Sequence, residues 1–165
     1  MVYPVLLVIH NTLRWFVLGS LLATLVSGYS GWLRPRSYSS TDATLRVVAT
    51  SIAHTQLLVG LYLYTISPII SYYWTNRPRF GELPGRSAGA VDSSQFSFFA
   101  LIHIGLMVTS VVLMTIGSGM VKRQTDARQR FRTTAIYFTI GLVLILIAVP
   151  WPFSSLAARP WVRTF

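Results

Sequence analysis

Four long apolar stretches limit what this chain can fold into. They run from about Tyr3 to Leu33, Val47 to Pro68, Gln95 to Ser118 and Thr133 to Pro152, and each can reach the ~20 residues with which a helix crosses a hydrocarbon core. Charged residues make up 11% of the 165, well under the ~25% usual in soluble domains. No stretch is left for a separate soluble domain. The expectation is an all-α integral membrane protein, a single transmembrane four-helix bundle in up-down-up-down order.

The first span has no basic leading region and carries His10 and Arg14, so it reads as a retained helix rather than a cleaved signal. The chain has no cysteine, which excludes disulfides, iron–sulfur clusters and thiol chemistry. The net charge of +10 resembles a nucleic-acid signature, but most of it flanks apolar spans. Orientation and contact with anionic lipid explain it better, with no nucleic-acid partner. The first and third loops hold Arg34, Arg36, Arg46, Lys122, Arg123, Arg128, Arg130 and Arg132, eight in all. The second loop and the tail hold five, Arg77, Arg79, Arg86, Arg159 and Arg163. The excess of positive charge puts loops one and three inside a bacterial inner membrane and both termini on the outer side.

In the first span, Gly19, Ser20, Ala23, Ser27, Gly28 and Gly31 offer small side chains for close helix contact. Pro35 stops that helix, and Ser40, Thr41 or Asp42 can cap the next. Tyr62, Tyr64, Tyr72, Tyr73 and Trp74 read as an interfacial aromatic belt. The second loop, about Ser71 to Ser94, is rich in Pro, Gly and Arg and is expected to be an irregular surface excursion. Its arginines read as a solvated basic loop or as partners for outward-facing anionic groups.

The three histidines fall one each on the first three spans, as His10, His54 and His103. All four acidic residues, Asp42, Glu82, Asp92 and Asp126, fall in loops. A proton relay built on carboxylates, or a di-iron site, needs acids inside the bundle. Zinc takes three or four ligands within a small radius, a demand that histidines on separate helices meet less readily. Two facing imidazoles, by contrast, suffice for axial ligation of a porphyrin iron. At ~1.5 Å per residue, His10 and His103 lie about 10 and 12 Å from one face and His54 about 20 Å. Depth therefore favours His10 with His103, and His54 with His103 is the alternative pair. The bland readings are packing histidines bonded to neighbouring helices and, for His10, an interfacial position.

Arg14 shares a helix face with His10. With no acid in the spans, its counter-charge must be a haem propionate, a quinone oxygen, a lipid phosphate or another subunit, unless it snorkels to the interface beside Trp15. Gln56, Tyr62 and Tyr64 either line a quinone pocket or belong to the belt and the helix contacts.

The run His10–Arg14–Trp15, then Ala53 to Leu61 (AHTQLLVGL) with Ser67-Pro68, His103 with Thr115-Ile116-Gly117, and Ile147 to Phe153 (IAVPWPF) resembles a family of small four-helix membrane proteins. These are common in Bacteroidetes-type bacteria and carry the label "cytochrome B". The resemblance extends over nearly the whole chain except loop two. It implies a b-type haem protein or a membrane subunit of quinone-linked electron transfer, with His10, Arg14, His54 and His103 as functional positions. Ile102 stands where that family places an acid before the third-span histidine, so the orienting role of the acid is missing. The expected function is thus a haem b subunit of a respiratory or photosynthetic electron-transfer complex, with other membrane subunits and lipid as partners and a quinone as a further ligand. The alternatives are a cofactor-free accessory subunit, single histidines that ligate chlorophyll-type pigments, and an oxidase acting on a porphyrin.

Overall fold

The computed structural model describes residues 2–76, 96–154 and 159–162. Among these there is helix and no strand. Helix α1 spans Val2–Leu33, α2 Ser40–Ile66 and α3 Pro68–Asn76; a π-helical turn at Phe98–His103 runs directly into α4, Ile104–Arg123, and α5 spans Ala127–Ala148. Four of these helical stretches are long and apolar enough to cross a membrane: α1, α2, α4 with its π turn, and α5.

The helices extend past the apolar spans because capping, rather than hydropathy, sets their ends. Ser39 caps α2: its side chain accepts from the Asp42 backbone N–H while the Asp42 carboxylate accepts from the Ser39 N–H, a reciprocal capping box. Asp42 also pairs with Arg36 at 2.7 Å and accepts from the Ser27 hydroxyl, which ties the first loop to both helices it joins. Asp126 caps α5 through the Gln129 N–H. Pro150 and Pro152 follow α5 and cannot continue it.

The second loop begins later than expected. Residues Ser71 to Asn76, assigned to that loop from sequence, continue helix α3, which starts at Pro68. Proline is suited to a first helical position because its missing N–H would have no partner there. The remainder of the loop, with Arg77, Arg79 and Arg86, lies outside the described residues.

Helix α1 packs on α2 and α5, and α4 packs on α5 and α2, so that α1 and α4 face each other across the middle. Leu21, Ala49, Met114 and Phe138 are fully buried there, whereas Leu22, Val26, Leu58, Val112, Val143 and Ile147 are exposed on the outer surface. An apolar exterior of this kind is expected where lipid is the solvent, and association then rests on close packing and interhelical hydrogen bonds. A Cβ on Gly28 would lie 3.3 Å from the Ala135 backbone nitrogen, and one on Gly31 would overlap the Phe131 ring. These two glycines let α1 approach α5 closely. Gly19 and Ala23, expected to do the same, are exposed, and a Cβ on Gly19 would meet nothing within 4 Å.

Candidate functional site

A cavity of about 230 Å³ opens where α1, α2, α3, the π turn and the ends of α4 and α5 converge. Its wall is mostly apolar, with Leu7, Val17, Leu63, Met107, Val111 and Ile145 among the lining, and a few polar groups are set into it. That composition is usual for a small-molecule or cofactor site.

The first polar group is His10 on α1, one turn before Arg14, and both line the cavity. Opposite stands His103, the last residue of the π turn. The two imidazoles face each other with ring centroids 6.4 Å apart and planes inclined at 67°. Two imidazoles on either side of one metal ion place their ligand nitrogens about 4 Å apart, twice the ~2 Å metal–imidazole bond, and adding the ring radii gives centroids about 6–6.5 Å apart. The observed separation falls in that window.

Each ring is held by its surroundings. Nδ1 of His103 lies 2.8 Å from the Ala148 carbonyl, one of the four carbonyls at the end of α5 that have no partner within the helix. This bond makes Nδ1 the protonated nitrogen and leaves Nε2 with a free lone pair, the usual way a ligating histidine is oriented. Phe98 and Phe99 flank the ring at 6.1 and 5.9 Å. His10 occupies space made available by Gly60 on α2, where a Cβ would come within 3.1 Å of its Cε1. Gln56 Nε2 donates to the His10 carbonyl at 2.9 Å and fixes α2 against α1 at that level.

Among the described residues, four buried side-chain polar atoms lack a hydrogen-bond partner, and three of them belong to this cavity: His10 Nδ1, Arg14 Nε and Gln56 Oε1. Arg14 is only 9% exposed. Its Nη2 donates to the Trp161 carbonyl at 2.6 Å, and its guanidinium lies over the Trp15 and Trp151 rings at 5.2 and 5.8 Å. No carboxylate among the described residues balances it; the ion pair found there is Arg36–Asp42. A buried cation on a cavity wall without a counter-ion suits an anionic or electron-rich ligand. Arg159, from the tail, is on the same wall and lies over Phe99 at 5.3 Å.

His54 is elsewhere. It is exposed on the outside of the bundle, where Nε2 lies 3.0 Å from the Thr115 hydroxyl of α4, and it is absent from the cavity wall. The helical angle of ~100° per residue explains this, since Gln56 and His54 point about 200° apart. Tyr64 lines the cavity, but its hydroxyl is occupied, donating to Ala100 O and accepting from Trp74 Nε1. Tyr62 is exposed.

Sequence reasoning missed Gly60, the Ala148 carbonyl and the Trp161 carbonyl. Gly60 had a legible signal, because Ala53, Gln56, Leu57 and Gly60 form one helical face. The two carbonyls had none, since backbone groups leave no mark on residue identity.

No group of three or more His, Cys, Asp or Glu side chains able to hold a metal occurs among the described residues. No family model, curated protein or solved structure matches this chain.

Proposed function

We propose that this protein is a b-type haem subunit of a membrane electron-transfer complex, with one haem held between His10 and His103. The observation that carries the reading is the pair of facing imidazoles at 6.4 Å on a cavity wall that also holds a buried arginine with no carboxylate partner among the described residues. The residues fit the group. His103 offers Nε2, with Nδ1 anchored on Ala148, and the lack of a side chain at Gly60 leaves space for the His10 ring where it stands. Arg14 and Arg159 are the cations for the propionates. The bound group would supply one-electron redox chemistry; the chain sets its potential through the two imidazoles, the apolar wall and the nearby positive charge.

The proposed setting is a bacterial inner membrane, crossed four times in up-down-up-down order, with both termini and the haem on the outer side. The charge excess of loops one and three supports this, as do the cavity's place near the start of α1 and the exposed aliphatic belt. Other membrane subunits would take the electron onward.

A quinone in the same cavity is the second reading, and Gln56 Oε1 favours it. This buried acceptor has no partner; a hydroquinone hydroxyl would satisfy it while Arg14 holds the other oxygen.

One experiment separates the two readings: reduced-minus-oxidised spectra and pyridine haem extraction on wild type, His10→Ala, His103→Ala and His54→Ala. The haem reading expects the signal to vanish in the first two variants and to persist in the third. A folded wild-type protein purified from a haem-replete host with no Soret band would overturn it. Recovery of a quinone from that preparation would favour the second reading; recovery of nothing would leave a cofactor-free accessory subunit.

A further inference from the structure

A second feature, independent of the cavity, lies on the outside of the bundle along the α2–α4 seam. Ser51, His54 and Thr55 of α2 and Thr115 and Gly119 of α4 are all exposed there, beneath and beside the exposed Leu58, Val112 and Ile116. His54 is near the middle of α2, so this polar group lies deep in the hydrocarbon, where lipid tails offer no hydrogen bond. Its protonation pattern follows from its neighbour. The Thr115 hydroxyl donates to Val111 O at 2.7 Å, so toward His54 Nε2, at 3.0 Å, it acts as acceptor. Nε2 therefore carries the proton, and Nδ1 of this exposed side chain is left as an acceptor with no hydrogen bond among the described residues.

One turn before His54 on the same stripe, Ser51 supplies a hydroxyl donor. A surface that carries both the unsatisfied acceptor and a matching donor, one turn apart, is self-complementary. In a two-fold contact the same patch of each copy meets the other, so each donor finds each acceptor. With the axis along the membrane normal, the two α2 helices run parallel and residues at similar depth meet. Gly119 points the same way. It is one turn from Thr115 on α4, level with Ser51, and a Cβ there would meet nothing within 4 Å. Packing within one chain therefore does not call for a glycine, whereas close approach of another helix does.

We propose that the α2–α4 face is the docking surface for a second copy of this chain, joined at its centre by reciprocal Ser51–His54 hydrogen bonds with Gly119 permitting the approach. The natural chain has no cysteine, which makes the test clean. Thr55→Cys, and as a control Leu22→Cys on the exposed face of α1, are introduced separately into the full-length protein and oxidised in native membranes. A disulfide forms only if the two Cα atoms come within about 7 Å. The expected result is a disulfide-linked homodimer through position 55 and none through position 22. In the Thr55→Cys background, Ser51→Ala is expected to lower the dimer association constant about eightfold, the effect of losing two interhelical hydrogen bonds of average membrane strength. Gly119→Leu is expected to abolish the dimer; the open space around that position leaves the fold intact, as the unchanged thermal midpoint of the monomer in detergent should show. A monomer at position 55, equal cross-linking at positions 22 and 55, or an adduct with a different protein would each overturn the proposal. So would a dimer that neither Ser51→Ala nor Gly119→Leu weakens.

Discussion

At the scale of single residues, the cavity depends on two conditions that lie outside the histidines themselves. Gly60 leaves room for the His10 ring, and a methyl group there would press on Cε1 at 3.1 Å and Nδ1 at 3.6 Å. Gly60→Ala is expected to push the ring by a few tenths of an ångström and, on the proposed haem reading, to weaken haem retention about tenfold, the usual cost of disturbing what orients a metal ligand. Haem titration of the variant beside wild type measures this. Arg14 poses the opposite balance. It is a buried cation with a carbonyl and two indole faces for company, which costs stability. Arg14→Leu is expected to raise the thermal midpoint of the haem-free protein by about 2–4 °C, the equivalent of ~1 kcal/mol at this size, while lowering haem retention. A drop in both would mean that Arg14 serves structure alone. The residue types and their spacing made His10 and Arg14 legible as one face of α1. That His103 would be oriented by Ala148, with Ile102 where an acid was expected, was not legible, because the partner is a main-chain oxygen 45 residues away.

At the scale of elements, the bundle is tightened where α1 meets α5. Gly31→Ala would drive a methyl group into the Phe131 ring, itself fully buried. The expected loss is about 1–3 kcal/mol, typical of overpacking, and Phe131→Leu in the same chain should recover part of it; thermal unfolding in detergent gives both values. At the other end of the first loop, Asp42→Ala removes half of the capping box and the partner of Arg36 together. It is expected to cost about 1–2 kcal/mol in the same assay. From sequence the cap of α2 was placed at Ser40, Thr41 or Asp42, one to three residues too late; Ser39 is the cap, and Asp42 completes the box from the third helical position. The sequence did not mark which small residues of α1 face α5, since the first helix is apolar nearly all round and lacks a clear inward stripe. The π turn at Phe98–His103 was likewise invisible. A widened turn of this sort recurs at functional sites, and here it ends on His103 itself.

At the scale of the whole molecule, the proposed orientation can be read with single cysteines and a membrane-impermeant thiol reagent. A cysteine in place of Thr125 in the third loop is expected to stay unlabelled in intact cells, and one in place of Phe153, which is 75% exposed, to be labelled. The reverse pattern would invert the protein and place the cavity on the inner side. Hydropathy and length alone determined that this chain has helices able to span a membrane, because a hydrocarbon solvent selects long apolar segments regardless of their partners. Asp42, assigned to a loop from sequence, instead lies buried in the first turn of α2, and Glu82 and Asp92 lie outside the described residues. What only the tertiary structure decided is which histidine faces which direction. His54, a member of the alternative pair read from sequence, faces outward to Thr115, while His10 and His103 meet inside. Helical rotation and the packing of four helices set those directions, and the chain's own order of residues does not contain the angle at which one helix lies against another.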